Sequence, residues 1–352
     1  LERKIYAHDM GTMPSMIKPL AGDPVPDGIV QPVSEEELVE LVKLARQKKI
    51  NLTPRGKATS GYGGVLPVEG GLVVEFNRMN KINAIDGENL TAVVEPGVVW
   101  KELEYHLNQQ NLTLALYPTS FPASTVGGWL AQGGAGIGSY EYGYFADNVL
   151  SARVVLPDGN IRELKGTELN LVSEVNGITG LISQVVIRVK DLKPMHINAI
   201  AFDTVDNMTD FMEGLYQRKV RLWSVSFINP EAAKMKNKLP PHLHHGHPVE
   251  DEHKVILPEK FIAILSCTAD RCDQIMNDVQ ELAALFNGEI LSEEIARHEW
   301  DARFEPMRAK RIAPSLIPSE VVVPLEKLAE VIREIDSEIK HPFILEGFAT
   351  DR

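Results

Sequence analysis

Residues 117–159 read YPTSFPASTVGG, then WLAQGGAGIGSYEYG, then YFADNVLSARVVLPDG. A Pro- and Ser-rich turn leads into a helix start, then a cluster of glycines, then a strand closed by an Asp-Gly turn. Glycines 127, 128, 133, 134, 136 and 138 strip side-chain cover from the backbone. Such a segment can lie flat against a ligand and aim its N–H groups at it. A globular core has little use for six glycines in twelve residues. The stretch therefore reads as wrapped around a large anionic ligand.

Outward from it the pattern is mixed. Residues 1–33 are Pro-rich and are expected to pack along the surface of the first domain. Ser34 and Glu37 form a capping box ahead of an apolar face of Leu38, Leu41, Val42 and Ala45, which predicts a helix. Residues 51–64, NLTPRGKATSGYGG, predict a short strand ending in a Gly/Ser/Thr loop. Gly71–Phe76 and Thr91–Glu95 read as buried strands. Pro96-Gly97 turns into a helix through Trp100, Leu103 and Leu107. Pro157-Asp158-Gly159-Asn160, between Val154-Val155 and Ile161, is a hairpin signal. Asn176–Gly180 is another bare loop, and Leu181–Val189 a strand.

Beyond Pro194 strands and helices alternate. Strand Ile197–Phe202, helix Thr204–Lys219 and strand Leu222–Ile228 come first. Strand Phe261–Cys267, helix Asp270–Phe286 and strand Glu289–Leu291 follow. Val321–Val323, Leu325–Lys340 and Phe343–Phe348 repeat the pattern once more. These units predict an α+β layer with helices covering one face of a sheet. At 352 residues two domains are expected, 1–195 and 196–352.

The net charge of −13 argues against nucleic-acid or anionic-membrane surfaces. No apolar run approaches the ~18 residues of a spanning helix, so no direct membrane insertion is expected. Two cysteines, Cys267 and Cys272, cannot form a disulfide framework or hold an iron–sulfur cluster. A reducing, cytoplasmic setting fits, with any membrane association made through a partner subunit.

Pro54–Gly64 is either a phosphate cradle or a flexible surface loop. It is not a Walker loop, because Gly56-Lys57 lacks the upstream glycine. Gly133–Gly138 does not match the Rossmann dinucleotide pattern either. The combination narrows the reading: PRGKATSGYGG (54–64), EPGVVWKEL (95–103), the central stretch, NVLSARVVLPDG (148–159) and NGITGLI (176–182). In that order and spacing the chain resembles the FAD-binding, PCMH-type flavoproteins of the vanillyl-alcohol oxidase superfamily. Within it, the glycolate oxidase flavin subunit and D-lactate dehydrogenase branch is the nearest likeness.

The resemblance implies an α+β fold, with a two-subdomain FAD-binding domain followed by a ferredoxin-like α+β cap (substrate) domain that is incomplete at its C-terminus. Pro54, Arg55, Gly56, Lys57, Ala58, Thr59, Ser60, Gly61 and Gly64 would wrap the FAD pyrophosphate. Pro118, Thr119, Ser120, Ser124, Thr125, Gly127 and Gly128 would form a second pyrophosphate and ribityl clamp. Gly133, Gly134, Gly138 and Tyr142 would run beside the isoalloxazine ring, and Gly177, Gly180 and Ile182 would contact the adenine half and the ring edge. Some relatives attach the flavin through a His in the first loop. This loop has none, and residues 1–195 hold only His8 and His106, the latter expected to be structural. The FAD is therefore expected to be non-covalent.

The implied reaction is oxidation of a small 2-hydroxy acid, D-lactate or glycolate, by hydride transfer to flavin N5. Electrons would then pass to an iron–sulfur or electron-transfer flavoprotein subunit. In WDARFEPMRAKR (300–311) the family's Trp-x-x-Arg pattern matches Trp300 and Arg303, and Arg303 would clamp the substrate carboxylate. The alternative is a basic face paired with Glu294, Glu299 and Glu305. At Gly347-Phe348-Ala349 the family has Gly-His-Ala, so Phe348 occupies the place of a histidine that serves as base. That departure keeps open a non-catalytic flavin-bearing electron relay, and resemblance to the superfamily's alkyldihydroxyacetone-phosphate synthase keeps open a redox-neutral synthase. PPHLHHGHPVEDEH (240–253) holds five of the ten histidines and reads as a solvated loop between prolines, with no defined metal site.

Overall fold

The computed structural model describes residues 2–11, 24–240, 243–244, 247–248, 255–312 and 316–350. The chain divides into two compact units, Leu1–Gly136 with Tyr142–Leu192, and Ile137–Glu141 with Lys193–Arg352.

The first unit carries two sheets. Strands β1 (Gly28–Val30), β2 (Leu52–Arg55) and β3 (Leu72–Glu75) pair in parallel in the order β1-β3-β2. Between β1 and β2 runs helix α1 (Glu35–Lys48), whose Leu38 and Val42 pack with Val74, Phe76 and Leu181. Ser34 caps it by accepting from Glu37 N, but the Glu37 carboxylate accepts from Val33 N, one residue outside the expected box. The second sheet holds β4 (Ile82–Asp86), β5 (Thr91–Val94), β9 (Leu181–Asp191), β7 (Val149–Val155) and β8 (Ile161–Leu164) in that spatial order. A sixth strand, β6 (Leu112–Leu114), pairs with the far end of β9. The β7–β8 hairpin closes where the Pro-Asp-Gly-Asn signal stands, with Asp158 Oδ1 accepting from Asn160 N at 2.9 Å.

Helices α2 (Trp100–Asn108) and α3 (Val126–Gln132) complete this unit. The Trp129 ring stacks on Phe145 at 4.2 Å, and the buried Trp100 meets both edge-on. Aromatic pairs of this kind add ~1 kcal/mol each beyond their burial, so α3 stands on a stiff base. His106 lies on the exposed side of α2, not in the core its apolar periodicity suggested.

In the second unit, after the short helix α4 (Ser139–Tyr142), five antiparallel strands stand in the order β15-β10-β14-β11-β16. They are β10 (Met195–Phe202), β11 (Ser224–Ile228), β14 (Phe261–Thr268), β15 (Glu289–Ile290) and β16 (Glu346–Phe348). With α5 (Val205–Gln217) after β10 and α7 (Cys272–Leu285) after β14, the first four strands form the split β-α-β-β-α-β arrangement of ferredoxin-like folds. A two-residue ribbon, β12 (Leu243–His244) with β13 (His247–Pro248), lies in the insert between β11 and β14.

Helices cover both faces of this sheet, which corrects the one-face expectation. On one side α5, α7 and α9 (Leu328–Glu338) bury Met208, Phe211, Leu215, Val279 and Ile332 against Phe202, Val225 and Leu265. On the other, α6 (Pro230–Lys236) and α8 (Glu293–Asp301) bury Ala232, Ala233 and Ala296 against Ala201, Ile228 and Ile264. Alternate residues of β10 and β14 serve the two cores, so nearly the whole of each strand is apolar. Residues 321–323 are not a strand: Val321 and Val322 are 65% and 79% exposed. They are bracketed by Pro318 and Pro324, and β16 takes the β11 edge instead.

Candidate cofactor site

Three loops of the first unit converge on one cleft of about 870 Å³, counted to its open mouth. The first follows β2, the second leads into α3, and the third precedes β9. From the first come Pro54, Arg55, Gly56, Lys57, Ala58, Thr59, Ser60 and Gly64. The second contributes Ser120, Ser124, Thr125, Gly127 and Gly128, and the third Gly177, Gly180 and Ile182. All sixteen were expected at such a site.

Local structure explains how the walls approach so closely. Segments 96–101 and 122–127 are laced together: Val126 N donates to Val98 O, Gly127 N to Pro96 O and Trp100 N to Ser124 O. A Cβ on Gly127 would stand 2.4 Å from Pro96 Cβ, and one on Gly56 2.5 Å from Thr125 Oγ1. Gly177 has a φ of +79°, and a Cβ there would meet Pro54 Cγ at 2.4 Å. A side chain at any of the three would push the walls apart.

The donors differ from those the sequence suggested. The amides of Val126, Gly127 and Gly128 are already engaged, the last with Thr125 Oγ1 at 3.2 Å. In the first loop, by contrast, the amides of residues 56–60 meet no acceptor among the described residues. Backbone N–H groups are obligatory donors, so five without a protein acceptor among the described residues, in a loop that lines the cleft, are available to an anionic ligand. Ser120 Oγ donates to Ser124 Oγ at 2.8 Å. The Ser124 and Thr125 hydroxyls both act as acceptors, so each keeps an O–H to donate.

Arg55 lines the cleft, but its guanidinium does not join the cradle. It donates to Tyr6 O at 3.4 Å and His8 O at 2.9 Å, and it lies 5.1 Å from the Tyr6 ring centroid. Burial and the Glu75 carboxylate, which accepts from Tyr6 Oη at 3.1 Å, push the Tyr6 phenol up. Asp9 holds the loop from outside, accepting from Gly63 N at 2.8 Å and Gly11 N at 2.7 Å. The expected surface packing of the N-terminal segment is thus a brace for the cradle.

Gly61, Pro118, Thr119, Gly133, Gly134, Gly138 and Tyr142 are not among the cleft-lining residues. Gly133 terminates α3, its N–H on Trp129 O, and a Cβ there would stand 2.1 Å from Glu174 Cγ. Tyr142 O accepts from Asn148 Nδ2 at 2.7 Å. Eight lining residues were not foreseen: Val65, Phe76, Pro96, Trp129, Ala131, Gln132, Asn176 and Leu181. A helical period extended from Gly128 would have found Ala131 and Gln132. Phe76 arrives from distant sequence and carried no local signal, while Pro96 lies in the EPGVVWKEL motif without having been assigned to the site.

In the second unit the Arg303 guanidinium carbon lies 4.1 Å from the Trp300 ring centroid and 4.4 Å from that of Phe304, with Nη1 donating to Trp300 O. The pairing alternative holds for Arg308, which donates to Glu305 Oε2 at 2.9 Å and Pro240 O at 3.0 Å. Glu299 is paired elsewhere, with Lys236 at 2.8 Å and His298 at 3.1 Å. Burial alone would lower the Lys236 ammonium, but Glu346 and Glu299 together hold it above its ordinary value. Phe348 sits on β16 opposite Ser226. Most of the His-rich run, residues 241–242, 245–246 and 249–253, lies outside the described residues. Among the described residues no group of three His, Cys, Asp or Glu could hold a metal ion.

The chain thus carries a bare-walled cleft in its first unit and a ferredoxin-like second unit. Residues 26–165 match the FAD binding domain family and residues 194–346 the C-terminal domain of FAD linked oxidases. The chain belongs to this family, in the glycolate oxidase and D-lactate dehydrogenase branch of the vanillyl-alcohol oxidase superfamily, and its cofactor is FAD. It is 25% identical over 332 residues to the glycolate oxidase subunit GlcD of Bacillus subtilis, covering 89% of this chain and 68% of that one. It is 29% identical over 337 residues to a mitochondrial D-lactate dehydrogenase (cytochrome) of Arabidopsis thaliana, covering 90% of this chain and 56% of the relative. A solved alkyldihydroxyacetonephosphate synthase shares the fold, with a TM-score of 0.68 at 23% identity, covering 81% of this chain and 55% of that one. The chain thus spans between about half and two thirds of its relatives' lengths. The cleft holds no His or Cys, in keeping with non-covalent binding. No helix among the described residues is long and apolar enough to cross a membrane.

Proposed function

We propose that this chain is the flavin-bearing part of an oxidoreductase that oxidises a small 2-hydroxy acid, of the D-lactate or glycolate kind, and passes the electrons to a partner protein. The observation that carries the reading is the run of amides at 56–60 with no acceptor among the described residues, in a chain whose halves match FAD-binding and FAD-linked oxidase families. Amides 56–60 and the Ser124 and Thr125 hydroxyls hold the diphosphate. Glycines 56, 127 and 177 let the walls close on it. When bound, FAD supplies the acceptor for a hydride leaving the substrate Cα.

Arg303 binds the substrate carboxylate. Its plane is fixed between Trp300 and Phe304, so little orientational freedom is lost when a carboxylate docks edge-on. The electron acceptor is an iron–sulfur or electron-transfer flavoprotein subunit. A redox-neutral synthase activity is the second reading, favoured by the likeness to alkyldihydroxyacetonephosphate synthases, and Phe348, where the family pattern places a histidine, motivates a third, a non-catalytic electron relay.

The test is a visible spectrum of the full chain before and after acid precipitation, followed by D-lactate and glycolate without oxygen. A flavin spectrum released by acid and bleached by either substrate is the expected result. A flavin spectrum that neither acid bleaches overturns the hydroxy-acid reading in favour of the synthase or the electron relay, and no flavin after FAD addition overturns the site.

A further inference from the structure

The second unit contains a cavity of its own, about 1060 Å³ to its open mouth. Its chemistry is basic in a chain of net charge −13. The wall begins where α5 ends. Lys219 takes the left-handed conformation, φ +54°, with its N–H on Tyr216 O, and Val220 N returns to Leu215 O. This turn sets up an alternation, with Val220 and Leu222 buried in the core while Lys219 and Arg221 are exposed and line the cavity. Tyr216 flanks them. The facing wall is Arg271, which pairs with Glu141 at 2.7 Å and is 38% exposed.

Charges elsewhere on this unit are mostly neutralised. Arg218, next in sequence to Lys219, bonds Glu281 at 2.8 Å and Asp278 at 3.3 Å, Lys193 bonds Asp270 at 2.8 Å, and Lys260 bonds Asp203 and Glu289, both at 3.1 Å. Lys219 and Arg221 pair with no carboxylate among the described residues. Two cations that pair with no carboxylate among the described residues, and a third paired with Glu141, line one concavity together with tyrosines and aliphatic carbon. Cations held together in this way repel one another, and a ligand carrying two negative charges would relieve the repulsion.

We propose that this cavity binds a small organic dianion, with Lys219 and Arg221 supplying charge-assisted hydrogen bonds and Arg271 shared between Glu141 and the ligand. A phosphate ester and a dicarboxylate both carry this chemistry. The site shares no lining residue with the flavin cleft.

The experiment is isothermal titration calorimetry on the FAD-saturated full chain, with pyrophosphate in one arm and malonate in the other, against NaCl of matched ionic strength. Saturation of the flavin keeps the first cleft from responding, and flavin absorbance in the same cell reports that cleft independently. The expected result is saturable binding of one probe, which identifies the ligand as phosphate-like or dicarboxylate-like. The double variant Lys219→Asn, Arg221→Ser should weaken it by roughly a hundredfold, about tenfold for each charge-assisted bond lost. Asn suits the left-handed position and both sites are exposed, so the fold should persist. Glu141→Gln, which removes the carboxylate paired with Arg271 in the cavity wall, should tighten binding. No saturable heat with either probe, equal binding by the double variant, or heats reproduced by NaCl alone would overturn the proposal.

Discussion

Two glycine-rich stretches look alike in sequence and do different work in the fold. Loop 56–64 and run 133–138 are both rich in glycine, and both follow a regular element. In the loop, five amides meet no acceptor among the described residues and the chain lines a cleft. In the run, Gly133 closes α3 against Glu174, and Gly136 packs its α-carbon onto Tyr117, whose carbonyl oxygen a Cβ would meet at 2.1 Å. Glycine content marks places where backbone comes close to something. Whether that something is a ligand or another piece of backbone is decided by where the N–H groups go.

Gly128 should give the largest effect. It lines the cleft with ordinary helical geometry, and a Cβ there meets only Thr125 Oγ1, at 2.9 Å. Gly128→Val should therefore fold but project two methyls into the cleft, and lower FAD affinity by at least about a hundredfold, or ~2.7 kcal/mol. Flavin absorbance per protein after gel filtration measures it, with far-ultraviolet circular dichroism as the fold control. Undiminished flavin content would put the clamp elsewhere.

Gly133→Ala should act on stability instead. A Cβ would stand 2.1 Å from Glu174 Cγ, and the φ of +79° strains any L side chain. About 2–4 kcal/mol should be lost, combining backbone strain with overpacking. Adding Glu174→Ala should recover the steric part, visible as a partial return of the melting temperature. Asp9→Ala comes third. It removes the one Asp9 contact that reaches the loop, the acceptor for Gly63 N, so FAD should bind a few-fold more weakly, following ~0.5–1.5 kcal/mol per hydrogen bond. If the affinity is unchanged, the loop holds its shape without the N-terminal brace.

What could be read in the sequence follows from how local the cause is. The β7–β8 turn, the Ser34 cap and the strand–helix order beyond Pro194 depend on residues a few positions apart, and they were legible. So was the membership of the cleft, because whole motifs coincide in order. The use of individual groups was not. Arg55 looked like a phosphate ligand until its guanidinium was found on the carbonyls of Tyr6 and His8, more than forty positions away. Val321–Val323 looked like a strand, but the edge it needed is occupied by β16. The Lys236–Glu299–Glu346 cluster joins α6, α8 and β16, and no spacing rule reaches across three such elements.

Gly134 offers the finest discrimination between the two stretches. Its φ is +101°, yet a Cβ there would have nothing within 4 Å. The position needs glycine for its backbone alone, and the space around it is open. Gly134→Ala should cost about 1–2 kcal/mol of stability through strain and leave FAD affinity unchanged, read as equal flavin content and an equal dissociation constant by fluorescence titration. The motif-based expectation differs, since it runs this residue beside the isoalloxazine ring. A methyl in open space touches nothing of the protein, so any fall in FAD affinity beyond what the lost stability explains would come from contact with the flavin itself. That result would return run 133–138 to the ligand side and erase the contrast with loop 56–64. An unchanged affinity would make the amide cradle, and not glycine richness, the feature that marks the site.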